Sequence, residues 1–231
     1  MDGITHRWDL TPDDAIQLQK KLAPLIDTQT PIDFDNLQYV AGVDVSVKNE
    51  ISRAAIVVLS FPDLKLVEAA TAEMPTPFPY IPGLLSFREG AVILEAHKKL
   101  ATNPDVYIFD GQGTAHPRRF GIACHIGLWL DNTTIGCGKT LLVGKHDELG
   151  AARGSYQPLR YYGDVVGAVV RTRDNVAPVY ISVGHKATLD TAIELILRCT
   201  TKYRLPEPIR MAHNTAGDFI PPSKPDQPRL L

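Results

Sequence analysis

The chain has 231 residues, of which 44% are hydrophobic and 22% charged, and its formal net charge at pH 7 is -2. This composition is typical of a globular protein with a substantial core, and one domain over residues 1–231 is the simplest organisation. The small charge excludes a protein coated in positive charge, so nucleic acid could be contacted only through local basic patches. The three cysteines lack CxxC spacing, which argues against a disulfide framework and a structural zinc site.

No stretch of the chain has the character of a membrane segment. The first residues, MDGITHRWDL, lack a long apolar run behind a basic flank. No later run approaches the ~18 apolar residues that a membrane span requires. We therefore expect a cytoplasmic protein without membrane contact, and a monomer is the working expectation.

Apolar periodicity and turn residues predict helices and strands in a mixed order. In chain order these are a helix at residues 11–25, strands at 39–47, 54–60 and 64–71, a helix at 84–100, a strand at 106–109, a helix at 117–130, strands at 133–137, 165–172 and 179–183, and a helix at 188–202. The first three strands have short links and predict an antiparallel meander. The whole order departs from strict βαβ alternation and predicts an α/β fold with a mixed central sheet flanked by helices.

Two segments are predicted to lack regular structure. Residues 144–163 are charged and rich in turn residues, which is typical of a surface loop. Beyond Leu205 the prolines are dense, and residues 215–231 have the composition of a flexible tail.

The most informative stretch is DGQGTAHPRRFGIACHI, which begins at Asp110 and combines an acid, a glycine-rich turn, a histidine and two arginines. The strand predicted at 106–109 places Asp110 at its carboxyl end. A buried carboxylate needs a metal ion or a cationic side chain, since burial without a partner costs several kcal/mol. A solvated Asp-Gly turn is the alternative, and the residues alone leave both interpretations open.

Two further acids are candidates for the same site. Asp44 interrupts the apolar strand AGVDVSVKN, which the order of elements places beside the strand that ends at Asp110. Glu89 lies on the helix at 84–100 and could point back at them. Hard cations such as Mg2+ prefer carboxylate oxygens, water and substrate phosphate, so the three acids have suitable chemistry. The alternatives are an Asp44 that faces solvent and a Glu89 that is an exposed helical acid beside Arg88.

Other site types fail on spacing. GCGKT around Lys139 resembles the end of a P-loop, but Thr133 stands where that pattern needs its first glycine. The dinucleotide fingerprint that begins with GQG has His116 in place of its third glycine. A zinc site built from His116 and the Cys-His pair at 124–125 fits no common spacing, and the nearby acids favour magnesium or manganese.

Five motifs follow one another along residues 10–214. They are VAGVDVSV at 40–47, PYIPGLLSFREG at 79–90, DGQGTAHPRRFGIACHIG at 110–127, TIGCGKTLL at 134–142 and RLPEPIRMAH at 204–213. In order and spacing they resemble the endonuclease V family of deaminated-base repair nucleases. DGQGTAHPRRFG in particular is too specific for chance similarity.

The resemblance implies a ribonuclease H-like fold and a Mg2+-dependent endonuclease, with Mn2+ as a substitute ion. It also implies damaged DNA as the partner, cleaved at the second phosphodiester bond on the 3′ side of deoxyinosine. Some relatives prefer inosine in RNA, so an inosine-specific endoribonuclease is one alternative. An inosine-binding module with little turnover is another.

The resemblance also implies roles for individual residues. By motif position, the metal-binding acids are Asp44, Glu89 and Asp110, and the other residues of the catalytic centre are His116, Lys139 and His213. In metal-assisted hydrolysis a lysine could neutralise charge on the leaving oxygen. His213 could orient or deprotonate the water and His116 could hold the phosphate or a second metal, but the sequence does not separate these roles.

Two further groups of residues are implied at the base. A wedge that enters the duplex corresponds to Pro79, Tyr80, Ile81 and Pro82, and a base pocket corresponds to Gly83, Leu85, Gly111, Gly113, Ile122 and Leu142. A tight pocket without room for an exocyclic amine would select hypoxanthine. Without the resemblance, the wedge segment is interpreted as a proline-rich turn that packs Tyr80 on the core. Arg118 and Arg119 are expected to touch phosphates, to brace the acids or to form a structural ion pair.

Overall fold

A mixed sheet of eight strands is the centre of the structure, a computed structural model that describes residues 4–218. In chain order the strands are β1 (Tyr39–Lys48), β2 (Ile51–Ser60), β3 (Leu66–Pro75), β4 (Val106–Phe109), β5 (Thr133–Gly138), β6 (Tyr156–Tyr161), β7 (Asp164–Val170) and β8 (Val179–His185). The α-helices are α1 (Pro12–Leu22), α2 (Leu85–His97), α3 (Ile122–Leu130), α4 (Leu189–Arg198) and α5 (Glu207–Gly217). None of these helices has the length and apolar character needed to cross a membrane.

The strands lie side by side in the order β3-β2-β1-β4-β5-β8-β7-β6. β1, β4 and β5 are parallel neighbours, whereas the other pairs are antiparallel. The predicted meander and mixed sheet are therefore confirmed. β1 and β4 run in the same direction, and their pairing ends with Val43 opposite Phe109. The next residues, Asp44 and Asp110, therefore lie side by side at one edge of the parallel part of the sheet.

Helices cover both faces of the sheet, and alternation along β4 shows why. Val106 and Ile108 are buried in the core beneath α4 and α5, while Tyr107 and Phe109 are buried on the opposite face beneath α2 and α3. Successive side chains of a strand point to opposite faces, so a continuous apolar run requires cover on both. The flanking helices of the predicted fold class are therefore confirmed.

The interpretation of residues 144–163 as a surface loop throughout was wrong. This segment contains β6, which pairs with β7 and forms one edge of the sheet. Pro158 lies within β6, and an edge strand tolerates proline because one side of its backbone needs no partner.

The proline-dense end of the chain contains α5, which the sequence interpretation omitted. Pro206 is the N-cap of α5 and Pro208 lies in its first turn, where a missing N–H breaks no helical hydrogen bond. The predicted tail at 215–231 begins inside α5, and its residues 219–231 lie outside the described part of the chain.

The segment before α3 is not helical, although a helix was predicted from residue 117. α3 begins at Ile122, and Arg119 has a φ of 57°, in the left-handed region. The main-chain N–H groups of Arg118 and Phe120 point at the ring of His116, 3.2 and 3.4 Å from Nδ1. The chain therefore wraps around this imidazole before the helix starts.

α5 packs directly on β1 because Gly42 has no side chain. A Cβ on Gly42 would lie 2.0 Å from the carbonyl oxygen of Pro208, closer than atoms can approach. This close packing brings the later turns of α5 towards Asp44, two residues further along β1.

Candidate active site

Asp44 and Asp110 lie next to each other where the pairing of β1 with β4 ends, Asp44 in the middle of β1 and Asp110 directly after β4. The main-chain N–H of Asp110 donates to the carbonyl oxygen of Val43 at 3.0 Å, which extends the pairing of the two strands to the acids. Together with His213 of α5, they offer one ligand atom each, and these atoms all lie within 4.8 Å of one another. We call these three residues the acid cluster.

Two basic side chains contact the two aspartates of the acid cluster. His213 Nδ1 lies 2.6 Å from Asp44 Oδ2, and Lys139 Nζ forms an ion pair with Asp110 Oδ2. Lys139 directly follows β5, so the third parallel strand delivers it to the same edge of the sheet. Burial and the charge of Asp110 raise the pKa of Asp44, while its hydrogen bond with His213 acts in the opposite direction. The two carboxylates therefore repel each other, and a divalent cation would relieve that repulsion.

Glu89 approaches the acid cluster from α2 but is not part of it. Among residues 4–218, the group with all ligand atoms within 4.8 Å does not include Glu89. Burial, followed by the charge of Asp44, raises the pKa of Glu89 to about 8, although Arg88 lowers it. Glu89 is therefore mostly protonated at neutral pH, and a nearby cation would favour its ionised form.

A cavity of about 300 Å³ opens beside Asp110. Of the predicted base-pocket residues, those that line it are Gly83, Leu85, Gly111, Ile122 and Leu142. Gly113 lies behind this wall, where its N–H donates to Ser182 Oγ at 2.8 Å. A Cβ on Gly113 would lie 2.0 Å from the carbonyl oxygen of Val183, so glycine is needed there for packing against β8.

The wedge segment forms one side of this cavity. Tyr80 is 71% exposed. The alternative interpretation, a proline-rich turn that packs Tyr80 on the core, was therefore wrong. Ile81 packs against the small apolar cluster around Phe87. Gly83, directly after the wedge, has a φ of +81°, a conformation that favours glycine. The segment therefore has a partly buried anchor at Ile81 and an exposed tip at Tyr80.

Three side chains converge on the carbonyl oxygen of Gly83 and fix the base of the wedge. Gln19 Nε2 donates at 3.0 Å, His116 Nε2 at 2.9 Å and Arg118 Nη2 at 2.7 Å. Arg118 Nε also donates to Gln19 Oε1 at 2.6 Å. Arg118 thus contacts Gln19 and the residue that follows the wedge, whereas phosphates, the acids or a structural ion pair were its predicted partners.

His116 uses both ring nitrogens on main-chain groups. Nδ1 accepts from the N–H groups of Arg118 and Phe120, so the proton sits on Nε2, which donates to Gly83. Burial, followed by the charge of Arg118, lowers the pKa of His116 to about 4, so the ring is neutral at pH 7. In this arrangement the imidazole braces the wedge and presents no free nitrogen to a phosphate or a metal.

Sequence reasoning missed Gln19, a member of this network, and left the partner of the neighbouring Arg119 undecided. Gln19 is 1% exposed and shares the buried face of α1 with Ala15 and Leu22, so a polar residue in an apolar stripe was the available signal. Arg119 donates to Asp164 Oδ2 at 3.1 Å, which is the structural ion pair among its predicted alternatives.

Residues 20–214 match the family model described as Endonuclease V. Endonuclease V of Trichormus variabilis is 53% identical over 215 residues, which cover 92% of this chain and 97% of that relative. The crystal structure of Endonuclease V from Streptomyces avermitilis has a TM-score of 0.87 and 39% identity, covering 92% of this chain and 94% of that one. Endonuclease V of Ciona intestinalis, solved with a 24mer DNA containing an inosine followed by a ribo-adenosine, has a TM-score of 0.77 and 28% identity, covering 88% and 95%.

The similarity extends over both parts of the site. The matched residues run from α1, through the wedge and the acids, to His213 in α5. The structural neighbours confirm the ribonuclease H-like fold that the motifs implied. This chain belongs to the endonuclease V family of nucleases.

Proposed function

We propose that this chain is a metal-dependent endonuclease of DNA repair, which acts as a monomeric, single-domain protein in the cytoplasm. It recognises deoxyinosine and cleaves the second phosphodiester bond on the 3′ side of the lesion. The observation that carries the proposal is the position of the acid cluster beside a cavity with an exposed wedge. A cavity of about 300 Å³ is at the lower end of the range for small-molecule pockets, which suits a single base.

Mg2+ fits the donor set of the acid cluster. Asp44 and Asp110 offer carboxylate oxygens from adjacent strands, and Glu89 lies close enough for its pKa to respond to their charges. Oxygen ligands of this kind suit Mg2+, and Mn2+ accepts them equally well. When bound, the ion would polarise the scissile phosphate and lower the pKa of a water molecule.

The other residues of the site supply positioning and charge. Lys139 is paired with Asp110, so it lies where a phosphate held at the cluster would be, and it offsets the charge that develops on the leaving oxygen. Asp44 orients the ring of His213, which is 57% exposed and can orient or deprotonate the attacking water. His116 acts at the other end of the site, through the carbonyl of Gly83.

Recognition of the damaged base uses the wedge and the cavity. Tyr80 is exposed at the tip of the wedge and fills the gap that an extruded nucleotide leaves in the duplex. Unstacking costs a few kcal/mol and less for a mispaired base, which favours inosine before any contact forms. Hypoxanthine lacks an exocyclic amine, so walls that include Gly83 and Gly111 can approach it closely. The Ciona relative was solved with inosine-containing DNA, which supports inosine as the base that enters.

An inosine-specific endoribonuclease is the second candidate. The DNA in the Ciona complex has a ribo-adenosine directly after the inosine, so that relative accommodates a 2′-hydroxyl on the 3′ side of the base. The acid cluster and cavity would serve the same chemistry on RNA, and only contacts to the 2′-hydroxyl would differ.

Cleavage of matched strands tests the proposal. End-labelled DNA, RNA and DNA with one ribonucleotide after the lesion, each with a single inosine, are incubated with Mg2+ or EDTA, and the cut is mapped to one nucleotide. Strands with adenine in place of inosine are the control. We expect a Mg2+-dependent cut at the second linkage 3′ to inosine, and the preferred strand identifies the sugar. Inosine-dependent binding without cleavage of any strand would replace the nuclease with a binding module.

A further inference from the structure

The two carbonyl groups that follow β5 are each held by a side chain from a distant part of the chain. Arg204 Nη2 donates to the carbonyl oxygens of Lys139 and Pro178, both at 2.6 Å. Gln112 Nε2 donates to the carbonyl oxygen of Thr140 at 3.1 Å. The main chain at Lys139 is therefore tied to the start of β8 on one side and to the turn after β4 on the other.

The main chain at this point determines where the lysine side chain reaches. A lysine has a long, flexible side chain, so a fixed Cα is needed for its ammonium group to occupy one place. Lys139 lies just beyond the last ladder pair of β5, in which Gly138 faces Tyr180 of β8. Without the two side-chain donors the backbone here would lack its main restraints, and a displacement of about 1 Å at a reacting group can cost about a hundredfold in rate.

Holding two carbonyl groups with Arg204 carries a cost in folding free energy. Among the described residues no salt bridge joins Arg204 to an acid, and its Nε is buried without a hydrogen-bond partner. Arg204 is partly buried, and a partly buried cation without a carboxylate partner loses hydration that no ion pair offsets. A neutral donor would satisfy the carbonyl groups at lower cost, which indicates that the rigid guanidinium is useful for more than folding.

Gln112 connects the same segment with the cavity. It lines the cavity beside Gly111, and its side chain lies across Gly138, where a Cβ would be 2.2 Å from Gln112 Nε2. Gln112 thus contacts the cavity and also the main chain on both sides of Lys139.

We propose that Arg204 and Gln112 are positioning residues, which set the place of the Lys139 ammonium group by holding the main chain of Lys139 and Thr140. The inference rests on the proposed nuclease function and adds two residues to its machinery. Neither side chain touches the reacting atoms in this role. Their effect on cleavage passes through Lys139.

Single-turnover cleavage of an inosine strand by the full chain, with enzyme in excess, tests the role of Arg204. We expect Arg204→Met to lower the cleavage rate constant by about tenfold to a hundredfold while the Kd for the uncut strand in EDTA changes little. Arg204→Lys keeps the charge but lacks the planar fork, and we expect it to restore little. Arg153 is the matched control, because its Nη2 also bridges two carbonyl oxygens, those of Leu197 and Thr200. Arg153→Met should lower the melting temperature without changing cleavage.

A double-mutant cycle separates positioning from general stability. The cycle uses two backgrounds, Lys139→Gln and Lys139→Arg, of which the second keeps the charge and should retain more activity than the first. In each background, Arg204→Met and Gln112→Leu should each lower the cleavage rate constant by less than about threefold further. Full losses in both backgrounds would overturn the inference, because the two residues would then act independently of Lys139. An unchanged rate for Arg204→Met would overturn it too. If the wild-type chain does not cut an inosine strand, the proposed function itself fails and the inference falls with it.

Discussion

The base cavity and the acid cluster meet at Asp110, but different forces hold them. At the cavity end, uncharged and cationic donors satisfy a main-chain carbonyl, and the pKa of His116 is lowered to about 4, so that its ring stays neutral. At the cluster end, carboxylates repel one another, and the pKa values of Asp44 and Glu89 are raised. Folding alone completes the first region, whereas the second retains a repulsion that a cation would relieve. Recognition should therefore survive changes that abolish cleavage.

The sharpest way to separate the two regions is to remove an acid. Asp110→Ala should lower cleavage by more than about a hundredfold, since metal sites lose affinity steeply when their ligand set is disturbed. Inosine-dependent binding should remain within a few-fold, as measured by fluorescence anisotropy in EDTA. Asp63→Ala, which removes an exposed acid paired with Lys65, is the charge control and should leave both unchanged. Retained cleavage by Asp110→Ala would remove Asp110 from the metal site.

His213 should act on the rate and not on binding. His213→Gln should lower kcat by about a hundredfold, the lower end of the usual contribution of general acid–base catalysis, with little change in KM. Steady-state cleavage at saturating Mg2+ gives both constants. His146→Gln, a change at another exposed histidine, should have no effect. A rise in KM alone would show that His213 contributes to substrate binding.

His116 should show the opposite pattern. His116→Phe removes both ring nitrogens, so we expect the wedge to loosen and KM to rise by about tenfold, with a smaller change in kcat. His116→Gln retains a donor that can reach the Gly83 carbonyl, and we expect it to recover much of the loss. The same steady-state assay decides the matter. A fall in kcat at constant KM would place His116 with the acid cluster.

The smallest expected effect is a pH-dependent change in stability at Glu89. Its pKa is raised from 4.5 to about 8 in the folded protein, so its contribution to stability is fully present below pH 4.5 and is lost as the pH rises through 8. In EDTA, Glu89→Gln should therefore raise the melting temperature by roughly a few degrees near pH 9 and by almost nothing near pH 5. Mg2+ should remove this advantage, because a cation favours the ionised carboxylate.

Glu95→Gln is the control for this measurement. Glu95 lies on the same helix, is exposed and pairs with Lys98. We expect its melting curves to follow the wild type at both pH values. Equal gains for both variants would indicate a general effect of charge on α2.

The sheet could be predicted from the sequence because its signals are local. Alternation and short links identified the meander, and the same pattern placed Asp44 and Asp110 on neighbouring strands, which the structure confirms. Composition gave a wrong prediction at the end of the chain, because proline is common both in flexible tails and at the start of helices. Prolines before and within the first turn of α5 suggested a tail, although they are also compatible with the start of a helix.

The hydrogen bonds that hold the wedge in place could not be predicted, because all three are accepted by one main-chain oxygen, that of Gly83. Any residue at position 83 carries a carbonyl group, so no side-chain type indicates that Gln19, His116 and Arg118 meet there. The histidine in DGQGTAH has the chemistry of a ligand or a base, and only the structure shows that both its nitrogens hydrogen-bond main-chain groups. Similarly, nothing in the letters near Lys139 indicates that Arg204 holds its carbonyl group.

Gly42 has a consequence for how variants of this chain are interpreted. It has no functional group and lies outside the cavity, yet it determines how near α5 comes to β1. Gly42→Ala would push α5 away from β1. The distance between His213 and Asp44 would then increase. In a genetic screen such a change would resemble an ordinary folding defect, while the lesion would be in the active centre. A search for essential positions that considers only reactive side chains would overlook it.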